Sequence, residues 1–248
     1  MSDPQSRGEH EVNYDVRFSD TDLFQLCRPS ALLNDLQETA AFHAEKLGIG
    51  VTTLMEQSNA IWMLVRQKYE LLRPLYVGEH LRIQTWFYEP KGMFILRDFA
   101  IYVGDELVGQ AYSTWVLGDV QNHTLLRGED VLQPYHVPSC PAKTKKLGKI
   151  RMPKDMEPAG KKRIGYSETD INGHANNTRY ADYACDTIEL EQYQGKYVKS
   201  MQITYSAECL AGDTVSMLRK EDNGIFYVRG VDKDGKPHFD IRMELAEI

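Results

Sequence analysis

Phe18-Ser19-Asp20-Thr21-Asp22-Leu23 recurs 148 residues later as Tyr166-Ser167-Glu168-Thr169-Asp170-Ile171, with a basic residue shortly before each copy (Arg17, Arg163). Self-similarity in a preserved order settles architecture before any single motif does, because each copy must fold as one unit. Two further matches follow in the same order. Val77-Gly78-Glu79-His80-Leu81 corresponds to Ala211-Gly212-Asp213-Thr214-Val215, and Gly92-Met93-Phe94-Ile95-Leu96-Arg97 to Gly224-Ile225-Phe226-Tyr227-Val228-Arg229. Residues from about 12 to 130 and from about 160 to 248 therefore read as two copies of one unit.

Each copy reads as a short strand, a turn, one helix and a run of strands. In the first, Pro29 suits an opening helical position, Leu32, Leu36, Ala40, His43 and Leu47 recur near every fourth residue, and Gly48 suits the stop. In the second, Asn176, Asn177 or Thr178 can cap a helix through about Leu190, with Tyr180, Ala184 and Cys185 or Ile188 on its apolar stripe. Stretches rich in Val, Ile, Tyr, Phe and Trp predict strands near 60–72, 79–89, 93–103 and 106–118, and again near 198–208, 213–220, 224–231 and 238–247. Gly104-Asp105 and Asp234-Gly235 mark hairpins. One helix followed by an antiparallel meander buries both only by wrapping the sheet around the helix, an α+β arrangement.

Composition limits the function classes. The 248 residues carry a formal charge of -7, which repels nucleic acid, and no apolar run approaches a bilayer span. Met1 to Val12 is polar and acidic, unlike a secretory signal, and Cys27, Cys140, Cys185 and Cys209 form no C-x-x-C pair. A reducing cytoplasm is the expected setting. Nine basic residues against two acidic ones lie between Lys143 and Arg163. The expected division is a first domain at 1–140, a basic linker at 141–162 and a second domain at 163–248. That linker reads either as a solvated crossing or, through Lys145, Lys146 and Lys149, as a docking strip for an acidic partner.

Asp170-Ile171-Asn172-Gly173-His174-Ala175-Asn176-Asn177 gathers polar groups before the second helix. In an extended loop Asp170, Asn172 and His174 would share one side, towards a helix start whose free N–H groups can hold an oxyanion. An Asx-turn and cap cluster is the plainer reading. The first copy has Asp22, Phe24 and Leu26 at those positions, so only the turn aspartate is common to both. The chemistry belongs to the second copy.

This loop, with Glu208-Cys209 beginning 34 residues after His174, resembles the acyl-acyl carrier protein (acyl-ACP) thioesterases of plants and bacteria, over nearly the whole chain. The resemblance implies a double hotdog fold and hydrolysis of fatty acyl-ACP without metal or organic cofactor, ending chain elongation. It implies functional roles for Asp170, Asn172, His174, Glu208 and Cys209, with acyl carrier protein as partner. An acyl-CoA thioesterase, a non-catalytic acyl binder and a hotdog dehydratase are the other readings. A fused pair can act alone or form a homodimer. Chain-length preference is not legible.

Glu208 and Cys209 adjoin on a predicted strand, so their side chains leave opposite faces. Alternation puts Cys209 with Ile203, Tyr205 and Ala207, and Glu208 with Gln202, Thr204 and Ser206, favouring a Glu208-activated water over a Cys209 thiolate. Pro74 stands where the first copy would have Glu208. That copy's apolar stock (among it Phe24, Trp62, Leu64 and Trp115) is expected to hold the acyl chain.

Overall fold

A computed structural model describes residues 8–140 and 147–248; Lys143, Lys145 and Lys146 of the basic segment lie outside them. The chain forms two compact units, one of Met1–Asp15, Asp35–Gln67 and Gly78–Leu147, the other of Val16–Asn34, Lys68–Val77 and Gly148–Ile248. Each unit thus takes segments from more than one stretch of chain.

In the first copy β1 (Glu9–Asp15) precedes α1 (Pro29–Lys46), α2 (Val51–Ser58), β2 (Ala60–Leu71), β3 (His80–Phe87), β4 (Ile95–Val103), β5 (Glu106–Asp119), β6 (Leu125–Leu126) and α3 (Gly128–Leu132). The second copy has β7 (Glu157–Arg163), α4 (Arg179–Cys185), β8 (Lys196–Tyr205), β9 (Thr214–Asp222), β10 (Ile225–Val231) and β11 (Pro237–Glu247). Strands neighbour one another as β1-β3-β4-β5-β2 in one copy and β7-β9-β10-β11-β8 in the other. The repeat read from three short matches is therefore a repeat of topology. Within each copy the meander is antiparallel, with Glu9 opposite Trp86 and Ile83 opposite Ile101 in the first, and Val228 opposite Ile241 and Ile241 opposite Ile203 in the second.

α1 runs as its periodicity predicts, and Leu33, Leu36, Ala40 and His43 are buried on it. In the first unit Ala44, Ile49, Leu54, Phe87, Ile95 and Leu117 form a core, with Trp62 and Trp115 packed against it. The Trp62 indole N–H reaches the Ile49 carbonyl at 2.8 Å, which satisfies its one polar atom. Leu64 is also buried, so these residues expected around an acyl chain serve first as core.

Three expectations need correction. The second helix ends at Cys185 rather than near Leu190, because the Thr187 hydroxyl donates to the Ala184 carbonyl (2.7 Å) and the Tyr193 hydroxyl to that of Cys185 (3.0 Å). Side chains take the carbonyls that another turn would have used. The last six residues of the segment read as linker, together with Arg163, form the strand β7, which pairs with β9 from Glu157 opposite Arg219 to Arg163 opposite Thr214. Its Pro158, Gly160 and three cations suit an edge strand and hide it from composition. The strand predicted to carry Glu208 ends at Tyr205, since Ser206 and Ala207 both donate to the one carbonyl of His238 (2.8 and 3.1 Å) and the ladder stops there.

Candidate active site

The polar loop is a tight turn, not an extended segment. Asp170 N–H donates to the His174 carbonyl (2.9 Å) and Gly173 N–H to the Asp170 carbonyl (3.0 Å). Gly173 stands at φ +77°, a conformation that suits glycine. The Asp170 carboxylate folds back to accept the Asn172 N–H at 2.9 Å, an Asx turn. The three polar side chains consequently do not share one side. Asp170 fixes the turn; Asn172 is exposed near its tip, and among the described residues its amide bonds to neither His174 nor Glu208. The amino end of α4 is also committed elsewhere, for the Asn176 side chain accepts from the Thr178 N–H (2.9 Å) and hydroxyl (2.8 Å).

His174 and Glu208 do meet. Nε2 of the imidazole lies 3.3 Å from Oε2 of the carboxylate, with side-chain exposures of 28% and 57%. Backbone contacts hold both in place. His174 bridges to Leu210, Ala175 N–H donates to the Cys209 carbonyl at 2.8 Å, and Leu210 N–H donates to Asp213 Oδ2 at 2.8 Å. The loop and the Glu208 segment are thus sewn together on either side of the pair, in a water-accessible position.

Cys209 has the opposite setting. It is fully buried, and burial pushes its thiol above the ordinary range; the Tyr180 hydroxyl beside it pulls the other way. Tyr180 is itself buried, stacked on Phe239 with ring centroids 4.6 Å apart. A side chain at Gly230 would strike that Phe239 ring. The face assignment made from alternation therefore holds for both residues, although they sit in the loop after β8.

Sequence reading missed a support under the loop. Glu168, just before it, accepts from Lys162 Nζ (2.7 Å) and from Gly165 N–H (2.8 Å). Burial acts to raise the Glu168 carboxyl, but these two donors hold it below the usual carboxylate range. Its carbonyl takes the Asn176 N–H at 2.8 Å. The repeat offered a signal: Asp20 occupies the equivalent position, but Tyr14 replaces Lys162.

The first copy keeps the same backbone without the chemistry. Asp22 N–H to Leu26 carbonyl (2.9 Å), Gln25 N–H to Asp22 carbonyl (3.1 Å), Cys27 N–H to Leu75 carbonyl (2.8 Å) and the Leu26–Tyr76 bridge reproduce the contacts around His174. A cleft of about 20 Å³, lined by Asp22, Leu26, Cys27, Leu75, Lys196 and Tyr197 among others, remains there. That is room for about one water. Among the described residues no group of three or more His, Cys, Asp or Glu could hold a metal ion, and no helix is long and apolar enough to cross a membrane.

Comparison with known proteins gives two family-model matches, the acyl-ACP thioesterase N-terminal domain over residues 8–135 and the acyl-ACP thioesterase C-terminal domain over residues 155–245. The oleoyl-acyl carrier protein thioesterase of Coriandrum sativum is 25% identical over 229 residues, covering 84% of this chain and 62% of its own length. The palmitoyl-acyl carrier protein thioesterase of Arabidopsis thaliana is 27% identical over 218 residues, covering 79% and 51%. The chain thus spans between half and two thirds of these relatives. Among solved structures, an acyl-ACP thioesterase from Bacteroides thetaiotaomicron superposes with a TM-score of 0.88 at 26% identity, covering 99% of this chain and all of that one. The 12:0-ACP thioesterase of Umbellularia californica, at 19% identity and TM-score 0.80 over 97% and 98%, shares the fold.

Proposed function

The chain belongs to the acyl-ACP thioesterase family, and from that premise we propose that it hydrolyses the thioester of fatty acyl-acyl carrier protein, releasing free fatty acid and ending chain elongation. The observation that carries the reading is the His174–Glu208 contact of 3.3 Å in the copy that alone has both residues. Glu208 acts as base. It takes a proton from a water lying against it and His174, and the hydroxide adds to the thioester carbonyl carbon. The His174 imidazole donates to the oxygen that becomes negative, while Asn172 holds the exposed tip of the turn. Collapse of the tetrahedral adduct breaks the C–S bond, and the proton held by Glu208 goes to the departing thiolate, leaving carboxylic acid and free thiol. Asp170 is a positioning residue, acting through the turn it closes.

Cys209 is assigned a packing role, supported by its burial and raised thiol; an acyl-enzyme would require a thiolate where the surroundings disfavour one. The first copy is assigned the acyl chain, supported by the apolar Phe24 and Leu26 that stand where the second copy has Asn172 and His174. The reaction is placed in the cytoplasm, supported by four cysteines that are all free thiols. Thiol release from a panel of acyl-ACP substrates, run beside the same acyl groups on coenzyme A, tests the reading. Faster turnover of the carrier protein substrates, abolished in His174→Ala, is expected. Preference for the coenzyme A thioesters would assign a different substrate, and no thiol release from either would refute hydrolysis.

A further inference from the structure

Glu208 is 57% exposed, and among the described residues its carboxylate meets only His174, at 3.3 Å. A side chain so exposed is not packed into that direction. Its aim is set by the backbone around it, where an error of about 1 Å is enough to cost a reaction about 10²-fold. Part of that backbone is already accounted for. The Ser206 and Ala207 N–H groups hold the His238 carbonyl on one side, and the Cys209 carbonyl takes the Ala175 N–H on the other (2.8 Å). Between them stands the peptide that joins Glu208 to Cys209, whose N–H is buried with Cys209 and needs a partner.

Tyr180, on α4 just after the loop, supplies one. Its hydroxyl lies against Cys209 and meets it twice, at the backbone N–H and at the thiol. Burial raises the phenol well above its ordinary range and keeps it protonated, so the oxygen accepts the N–H while the O–H turns to the sulfur. The ring is 2% exposed, stacked on Phe239 and tilted against Tyr205 with centroids 5.9 Å apart, which fixes where the hydroxyl can reach. Tyr205 makes the contrast, because its hydroxyl is buried in the same aromatic cluster and bonds to nothing among the described residues. The first copy lacks the arrangement. At the position of Tyr180 it has Leu32, and Leu75, whose carbonyl takes the Cys27 N–H, stands for Cys209. Both leucines are buried, so packing at this place needs no hydroxyl. The hydroxyl accompanies the His174–Glu208 pair.

We propose that Tyr180 is a positioning residue for the hydrolysis, holding the Glu208–Cys209 peptide from within the core so that the Glu208 carboxylate is aimed at His174 and at the water it activates. This rests on the hydrolytic reading above. Tyr180 acts through the backbone N–H of Cys209, which alanine at that position retains. The hydroxyl is therefore required where the thiol is not.

The test is kcat and KM of thiol release from one acyl-ACP for Tyr180→Phe, Tyr205→Phe, Glu208→Gln and the double variant Tyr180→Phe/Glu208→Gln. Tyr180→Phe keeps the stacked ring and removes the hydroxyl; its kcat should fall about tenfold with KM within about twofold of wild type. Tyr205→Phe, which loses an unpartnered hydroxyl from the same cluster, should match wild type. In the Glu208→Gln background Tyr180→Phe should add no further loss, since both changes disable the same group. A wild-type kcat in Tyr180→Phe would overturn the proposal, as would an equal fall in Tyr205→Phe or a further tenfold loss in the double variant. Should Tyr180→Phe not fold, hydrogen exchange at the Cys209 amide of the wild type decides: protection is expected, and exchange at the rate of an unstructured peptide would overturn the contact. A wild-type protein that releases no thiol defeats the hydrolytic reading itself, whereas one that hydrolyses no faster than Tyr180→Phe defeats only the role of Tyr180.

Discussion

Glu208 and Cys209 are neighbours in the chain, and one faces water and an imidazole while the other faces Tyr180 and the sheet. That division follows from the end of β8, where two amides share the His238 carbonyl and the next residues turn away from the ladder. His174→Ala is expected to lower kcat by about 10²–10⁴, the range typical of a lost acid–base group, with a melting temperature close to wild type because the imidazole is part-exposed. Steady-state kinetics with a thermal melt measures both, and a wild-type kcat would remove His174 from the reaction. Glu168→Gln and Lys162→Met test the support beneath the loop: each should lower kcat several-fold with little change in KM, and the double variant should be no worse than either single one, since both break the same contact. Additive losses would separate the two residues.

At the scale of elements, α1 brings a buried histidine against a buried arginine. Arg97 Nη1 donates to His43 Nδ1 at 2.8 Å, which requires the imidazole neutral there. Burial, then the charge of Arg97, then His10 and Lys46, hold the His43 pKa down at about 3 against the ordinary 6.5. The unfolded chain therefore takes up this proton first as pH falls. The stability is complete above about pH 6.5 and drains away towards pH 3, roughly 2 kcal/mol of it by pH 5. Urea unfolding at pH 7 and pH 5 should show that loss in the wild type and much less of it in His43→Gln; equal pH dependence in both would contradict the assignment. In the second unit, β10 approaches β11 closely at Gly230, where Phe239 occupies the space of a side chain. Gly230→Ala should cost about 1–3 kcal/mol in chemical denaturation by pushing Phe239 against Tyr180.

At the scale of the whole molecule, two copies share a strand order and the backbone of one loop, and differ in helix length and in the side chains of that loop. The repeat was legible because turn residues such as Asp22 and Asp170 are held by local backbone geometry, which short sequence matches record. The strands were legible because their aromatic and β-branched residues alternate. β7 was not, since an edge strand tolerates proline and lysine, and the early stop of α4 was not, since it depends on hydroxyls of Thr187 and Tyr193 finding particular carbonyls. Of the site, the residues could be named from the loop and the Glu-Cys pair, but their meeting could not: His174 and Glu208 touch through a fold, while Asn172 and Asp170, two and four residues from His174, point elsewhere. Asp170→Ala, which removes one turn bond, should cost about 1 kcal/mol, and Asp22→Ala, which removes two, about 2 kcal/mol. Asp170→Ala alone should also depress kcat, by tenfold or more; equal kcat in the two variants would mean that the copies do not divide the work.

The central claim is that Glu208, not Cys209, drives hydrolysis, and the kcat of Glu208→Gln and Cys209→Ala on one acyl-ACP substrate tests it most directly. The expected result is a fall of about 10² or more for Glu208→Gln and less than about tenfold for Cys209→Ala. Full activity in Glu208→Gln with none in a folded Cys209→Ala would contradict it.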